Sequence, residues 1–178
     1  MTILAIIVGI IVLAIIAILA IAATKPNNFV VQRTIDVAAA PETVFALIND
    51  FHKWRDWSPW EGLDPDLKRK MSGAESGRGA VYEWNGNKKV GSGRMEIVEA
   101  AAPNKIAIKL DFLRPFEAHN MAEFTMVPQG QTSRVKWAMR GPSTFMTKVM
   151  QTVMNFDKMI GKDFEKGLAN LKATAERG

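Results

Sequence analysis

The C-terminal stretch, residues 143–176, constrains the fold of this chain more than any other feature. On a helix that turns by about 100° per residue, its apolar residues form one continuous stripe, and most of its lysines lie on the opposite side. The spacing predicts a single amphipathic helix of about nine turns. Such a stripe needs a broad apolar surface along it, which the strand-rich middle of the chain can supply. The stripe consists of Met146, Val149, Met150, Val153, Phe156, Ile160, Phe164, Leu168 and Leu171.

A second feature is the uncharged run at residues 3–23, which consists mainly of Ile, Leu, Val and Ala. As a helix it would span about 31 Å, close to the hydrocarbon thickness of a bilayer. A cleaved secretory signal is the alternative, because Ala20-Ile21-Ala22 resembles a cleavage site, although the run is longer than a usual signal core. We therefore expect an uncleaved membrane anchor over residues 1–24, a short linker over residues 25–28 and one domain over residues 29–178.

The charges all lie beyond residue 24, and the formal net charge is +5. The basic residues are scattered in short groups without a nucleic-acid-binding motif, so we expect no nucleic-acid partner. A basic surface beside anionic lipid headgroups explains them more simply. Lys25 and Arg33 favour a cytoplasmic domain by the positive-inside rule, but two charges leave the side of the membrane open. The chain contains no cysteine, which excludes disulfides and thiolate chemistry.

The middle of the chain alternates apolar and polar residues, which predicts strands. A short helix begins at Pro41, a favoured first-turn residue, and Asn85-Gly86-Asn87 predicts a hairpin. Ser143 is a candidate N-cap for the C-terminal helix. The predicted strands include 29–37, 79–84, 90–98, 105–112, 119–127 and 133–140. We expect an α+β fold in which a curved antiparallel sheet of about seven strands packs one face against the C-terminal helix.

Four short motifs occur in order along residues 29–175. They are Pro41-Glu42-Thr43-Val44-Phe45, Trp54-Arg55-Asp56-Trp57-Ser58-Pro59-Trp60, Val90-Gly91-Ser92-Gly93 and Asp163-Phe164-Glu165-Lys166-Gly167-Leu168. Together they resemble the SRPBCC, or START-related, superfamily, and within it the polyketide cyclase/dehydrase and lipid transport branch. The resemblance implies a helix-grip fold with an apolar cavity between the sheet and the C-terminal helix. Because the superfamily includes lipid carriers, metabolite binders, ring-closing enzymes and regulators, the resemblance does not settle the activity.

Strand alternation nominates the side chains that would line such a cavity. Its walls would be apolar, and Asn120 would point inward and offer a hydrogen bond to a ligand. Methionine suits adaptable apolar sites, and the chain contains 10 of them. The alternative is that the same side chains fill a solid core. The predicted lining residues are Tyr82, Trp84, Met95, Ile97, Ile108, Leu110, Phe112, Asn120, Phe124, Trp137, Met139, Met150, Met154 and Asp157.

Two charged residues lie where the pattern expects apolar ones. Asp157 is close to the stripe of the C-terminal helix, and Arg33 shares the apolar face of the first strand. Because a buried carboxylate is costly unless paired, we predict that Asp157 pairs with Arg33, with a catalytic acid as the alternative. Gly161, one turn later, costs about 1 kcal/mol relative to alanine in a helix, which indicates a close approach by backbone or ligand.

Other side chains suggest chemistry only weakly. Trp54, Trp57 and Trp60 either pack as a corner beneath the sheet, with indole N–H groups bonded to backbone, or gate a ligand near the membrane. Neither His52 nor His119 has partners at the spacing of a metal site, so we expect no metal and no cofactor. We assign no catalytic residue.

The sequence therefore favours a membrane-anchored domain that binds or transports a lipophilic small molecule. An enzyme of the cyclase or dehydratase type, using Asp157 with Tyr82 or Asn120, is the first alternative. It is disfavoured because acid–base catalysis needs groups within hydrogen-bond reach, and the sequence shows no clustered pair. A ligandless interaction or regulatory module is the second alternative. No protein partner is identifiable.

Overall fold

The elements follow the predicted order in the computed structural model, which describes residues 2–177. The helices are α1 (Thr2–Thr24), α2 (Pro41–Ile48), α3 (Phe145–Val153) and α4 (Phe156–Ala175), and a 3-10 helix spans Phe51–Asp56. The strands are β1 (Asn28–Val37), β2 (Lys68–Gly73), β3 (Ala80–Asn85), β4 (Ser92–Ala101), β5 (Lys105–Arg114), β6 (Ala118–Gln129) and β7 (Thr132–Pro142).

The seven strands form one antiparallel sheet in the order β1-β7-β6-β5-β4-β3-β2, which confirms the predicted α+β architecture. The edge strand β2 was not predicted from the sequence. Its sequence Lys-Arg-Lys-Met-Ser-Gly contains only one large apolar residue and therefore shows no alternating pattern. Pairing with β3 defines it, and Met71 lies opposite Tyr82.

One face of the sheet, here called the inner face, packs against α2 and α4. Alternation places apolar side chains on this face and charged ones on the other, as a half-buried antiparallel sheet requires. The packed aromatic and aliphatic core lies between this face and the two helices. It includes Val31, Ile97, Ile108, Phe124, Met126, Val135, Trp137, Phe164 and Leu168.

The single nine-turn helix predicted for residues 143–176 is wrong, because the structure has two helices there. Met154 is extended, with φ −128° and ψ 137°, and interrupts the helical hydrogen bonds. Asn155 then caps α4, since its side-chain oxygen accepts a hydrogen bond from the backbone N–H of Lys158 at 2.9 Å. Thr144, rather than Ser143, caps α3 by accepting from the backbone N–H of Thr147 at 3.2 Å.

The interruption separates the paths of the two helices. α4 runs along β1 and buries three of its five stripe residues, Phe164, Leu168 and Leu171. α3 leaves the sheet and packs against α1. Its stripe residues Met146 and Val153 are exposed, so the predicted stripe is not one continuous buried surface.

The N-terminal helix α1 is long and apolar enough to cross a membrane. Nearly all of its side chains are exposed, because the rest of the protein does not cover them. Ala22, near its C-terminal end, is the buried exception.

Candidate functional site

The inner face has two ends that differ in packing. Because neighbouring strands are antiparallel, the start of β1, the end of β7, the start of β6 and the end of β5 all lie at one end, here called the α1 end. Along β5, Ile106 and Ile108 are fully buried, whereas Leu110 and Phe112, nearer the α1 end, are half-buried. On β4, Ile97 is fully buried and Met95 is half-buried. Cover over the sheet therefore decreases toward the α1 end.

The region beneath the middle of α4 is filled by aromatic side chains. The Trp137 and Phe164 rings stack at a centroid distance of 4.1 Å, and Phe124 stacks on Trp137 at 4.8 Å. Gly167 fits because it has no side chain: a Cβ there would lie 2.8 Å from the Trp137 ring and 2.9 Å from Pro59. The predicted cavity does not extend beneath this part of α4, because Trp137 occupies the space.

The tryptophan-rich connection forms a packed corner, which was the structural alternative. Trp54 donates its indole N–H to the carbonyl of Ile48 at 2.9 Å, and Trp57 donates to that of Leu47 at 3.2 Å. Both rings are buried and lie 4.6 Å apart. They support the core instead of gating a ligand.

The α1 end of the inner face has a different surface. Trp84 lies across Gly93 on the neighbouring strand, where a Cβ would overlap its ring, and meets Phe112 edge to face at 5.8 Å. Together with the half-buried Met95 and Leu110, these side chains form an apolar area on three adjacent strands. This area is the candidate ligand site.

Two polar groups on the inner face lack partners within the described residues. Asn120 is 7% exposed, and its side chain makes none of the hydrogen bonds found among residues 2–177. Its amide lies over Gly141, where a Cβ would overlap the amide oxygen. The Trp137 indole N–H is also buried without an acceptor in that range. A buried polar group left unpaired costs about 1–3 kcal/mol, which applies to the Trp137 N–H, whereas the Asn120 amide is suited to bind a ligand oxygen or an ordered water.

The predicted lining residues differ in burial and fall into three groups. Tyr82, Ile97, Ile108, Asn120, Phe124, Trp137 and Met139 are buried, whereas Trp84, Met95, Leu110, Phe112 and Met150 are half-buried. Met154 and Asp157 are exposed and lie outside the candidate site. Met154 lies at the interruption between the two helices, and Asp157 lies in the first turn of α4, where its side chain extends along β1.

The predicted pair of Asp157 and Arg33 is confirmed. Two guanidinium nitrogens of Arg33 donate to the Asp157 carboxylate at 3.0 Å, and its Nε donates to Glu165 at 2.6 Å. The Asp157 side chain is 63% exposed. The hydrogen bond from Arg33 lowers the pKa of Asp157, so this carboxyl stays ionised and is poorly suited to be a general acid.

A cluster of Glu61, Arg69 and Tyr82 was not predicted. The Tyr82 hydroxyl donates to Glu61 at 2.9 Å, and Arg69 Nε donates to the other carboxylate oxygen at 2.9 Å. Burial and the adjacent carboxylate raise the pKa of Tyr82, so its hydroxyl stays protonated. Recognising the cluster required locating β2, which places Arg69 opposite Trp84 and next to Tyr82 on the inner face.

Two shallow depressions lie elsewhere on the sheet. One, of about 520 Å³, lies at the β2 edge, and its lining includes the basic side chains of Lys68, Lys70 and Arg114 together with Trp84 and Gly93 of the candidate site. The other, of about 190 Å³, includes the paired charges of Lys105 and Glu123. Neither lies between the sheet and α4.

The outer face also carries His119, as strand alternation predicts. Its ring is hydrogen-bonded to Asp111 at 2.7 Å and lies 3.3 Å from Glu117. The hydrogen bond to Asp111 raises the pKa of His119. Residues 2–177 contain no group of three or more metal-binding side chains.

Comparisons with known proteins agree with this architecture. The model of the family described as polyketide cyclase/dehydrase and lipid transport matches residues 28–176. The chain matches no curated protein.

Solved structures of low sequence identity share the fold. A protein from Chromobacterium violaceum has a TM-score of 0.58 and 15% identity, with 85% of this chain and 99% of that chain covered. The Aha1 dimer from Colwellia psychrerythraea has a TM-score of 0.60 and 12% identity, with 83% and 96% covered. The di-domain ARO/CYC StfQ from the steffimycin biosynthetic pathway has a TM-score of 0.60 and 11% identity. The alignment covers 84% of this chain and 51% of StfQ.

Proposed function

The chain belongs to the polyketide cyclase/dehydrase and lipid transport family, and from this premise we propose that it binds a lipophilic small molecule at the α1 end of the inner face. The observation that carries the proposal is the decrease in burial along β4 and β5, which leaves Met95, Leu110 and Phe112 half-covered. When an apolar ligand excludes water from half-covered apolar side chains, the free energy of the system falls, and this favours binding.

The expected affinity comes mainly from apolar burial. Each Å² of apolar surface removed from water contributes about 25 cal/mol, so covering about 200 Å² would contribute about 5 kcal/mol before the cost of immobilising the ligand. Asn120 is placed to orient the ligand, because it lies opposite Leu110 and its amide makes no hydrogen bond within residues 2–177. A ligand with an apolar body and a single carbonyl or hydroxyl group fits this combination best.

A membrane location fits such a ligand. We include in the proposal that α1 spans a bilayer and holds the domain at its surface, since the helix is long and apolar enough to do so. Lipophilic compounds concentrate in bilayers, so a domain held there encounters its ligand at a high local concentration.

The test is native mass spectrometry of the full chain released from mild detergent. The wild type is compared with Leu110→Arg, which places a charge in the candidate site, and with Val127→Arg, the matched change at an exposed position (50%) far from it. We expect a co-purifying lipophilic molecule in the wild type and in Val127→Arg but not in Leu110→Arg.

Asn120→Leu provides a variant that keeps the volume of the side chain. It is expected to bind the same molecule more weakly while the tryptophan fluorescence of the core is unchanged. Ligand retention by folded Leu110→Arg, or repeated absence of any ligand from the wild type, would contradict the proposal.

A second candidate function rests on the cluster of Glu61 and Tyr82. The Tyr82 hydroxyl stays protonated beside a carboxylate and lies on the same face as Trp84, so the pair offers a hydrogen-bond donor and an acceptor at the edge of the site. That arrangement suits a dehydration or ring closure of a bound hydrophobic substrate. Tyr82→Phe separates the two functions: an enzyme loses turnover and keeps its ligand, whereas for a carrier the variant binds as the wild type does.

A further inference from the structure

Helix α3 is oriented with its apolar side outward. The side that faces the rest of the protein is mixed: Lys148 is buried, Val149 and Met150 are half-buried, and Gln151 donates to Ser143 Oγ at 3.3 Å. The exposed side is apolar, with Met146 at 66% exposure and Val153 at 61%. A helix on a water-soluble surface normally has the opposite orientation, because burying its apolar side is what stabilises it. The apolar side of α3 therefore requires a cover outside the chain.

The position of α3 indicates what that cover is. α3 packs against the C-terminal part of α1, where Ile18 is half-buried and Ala22 is fully buried, one helical turn apart. The backbone N–H of Ser143 donates to the carbonyl of Asn27 at 2.7 Å, and Lys148 Nζ donates to the Asn27 side chain at 2.6 Å. These contacts hold α3 beside the last two turns of α1.

The depth of these contacts follows from helix geometry. Ile18 lies six residues before the end of α1 at Thr24, which corresponds to about 9 Å along the helix axis. If α1 spans a bilayer, α3 lies at the level of the headgroups and the outermost acyl carbons. Amphipathic helices bind lipid at this depth, with the apolar side toward the acyl chains.

A second segment at the same end of the sheet has the same character. The turn between β5 and β6 carries Phe116, which is 69% exposed, and Leu113 beside it is exposed too. Basic side chains outnumber the one acidic side chain there, Glu117: Arg114 lies in the same segment, and Lys25 begins the linker that follows α1. Apolar side chains next to lysine and arginine suit an anionic lipid surface.

We propose that the apolar side of α3 and the β5–β6 turn form a docking surface for an anionic lipid bilayer, the one that α1 spans. The surface consists of Leu113, Phe116, Phe145, Met146, Val153 and Met154. It lies at the α1 end of the sheet, the end toward which the candidate ligand site loses its cover. The site therefore opens onto the bilayer, and a lipophilic ligand enters it without crossing water. The inference rests on the membrane part of the proposed function.

The natural absence of cysteine makes the test direct, because one introduced cysteine carries one label. Phe116→Cys and Met146→Cys probe the docking surface, and Val127→Cys, similarly exposed at the other end of β6, is the control. Each full-length variant is labelled with an environment-sensitive fluorophore. It is then reconstituted into vesicles of phosphatidylcholine, alone or mixed with phosphatidylglycerol, that contain a doxyl-labelled quencher lipid.

We expect the quencher lipid to reduce the emission from positions 116 and 146 at least threefold, with more quenching in the anionic vesicles, and to leave position 127 unchanged. Equal, weak quenching at all three positions would overturn the docking surface. Emission that is blue-shifted at 116 and 146 but not quenched would mean that a second protein copy covers the surface, and would also overturn it. The fluorescence readout needs no ligand. The docking surface is therefore tested separately from the ligand proposal, even if mass spectrometry finds no ligand.

Discussion

The guanidinium of Arg33 lies against Gly161 and fills the space that a Cβ would need there. From this position it donates to the carbonyl and the carboxylate of Asp157 and to Glu165. The missing side chain of one α4 residue thus allows a β1 arginine to bind two carboxylates on the same helix. This contact explains why glycine, which destabilises helices, occurs at position 161 within α4.

Gly161→Ala is predicted to stabilise the protein only when Arg33 is absent. In the Arg33→Ala background the change adds helix propensity, and the free energy of unfolding should rise by about 1 kcal/mol. In the wild type the new methyl group displaces the guanidinium, and the gain should largely disappear. A double-mutant cycle by urea denaturation measures the difference. Equal effects in both backgrounds would show that the contact contributes nothing.

Gly167→Ala is predicted to destabilise the domain, although it too adds helix propensity. A Cβ at this position would approach Trp137 and Pro59, which are held by the surrounding aromatic core, unlike the mobile end of an arginine. Overpacking of this kind costs about 1–3 kcal/mol. Thermal unfolding of the variant is compared with that of Gly161→Ala on the same helix. A melting temperature at or above that of the wild type would contradict the prediction.

The arrangement of the domain was predictable because its strands alternate cleanly. The patterns of β1, β5, β6 and β7 place one set of side chains on a buried face and the other in solvent, and the structure follows them. Pro41 likewise marks the start of α2. β2 was not located because pairing with β3, and not its own composition, makes it a strand.

The course of the C-terminal segment was harder to predict for a physical reason. A helical projection records the direction of side chains but not whether the backbone continues, so the stripe remained aligned across Met154 and Asn155. The side chain of Asn155 bonds to the backbone of Lys158 and starts a new helix, as asparagine does at N-caps. The cluster around Glu61 was missed because its members are separated in sequence and meet only through the loop and the edge strand.

The cluster of Glu61, Arg69 and Tyr82 is predicted to respond unequally to substitution. Tyr82→Phe removes one hydrogen bond from a carboxylate that keeps its arginine, and should cost about 1 kcal/mol of unfolding free energy. Arg69→Met leaves a mostly buried carboxylate without its positive partner, and should cost more. Urea denaturation of both variants tests the order. The reverse order would mean that the Tyr82 hydroxyl, and not Arg69, is the main partner of the Glu61 carboxylate.

The pH dependence of stability is predicted to include a contribution from His119. Its pKa is raised above 6.5 by the hydrogen bond to Asp111, so the folded state holds this proton more tightly than the unfolded state. The resulting stabilisation is complete below about pH 6 and is lost as the pH rises through the raised pKa. Burial favours the neutral form of Asp111, but hydrogen bonds from His119 and Lys109 outweigh it and lower the pKa of Asp111, which stays ionised throughout this range.

The measurement is the unfolding free energy of the wild type and of His119→Gln between about pH 6 and pH 9. Because glutamine does not titrate, the wild type should lose stability relative to the variant as the pH rises. The change is expected to be small, since the ring is exposed to solvent. Parallel profiles for the wild type and His119→Gln would show that the histidine does not bind its proton more tightly in the folded state.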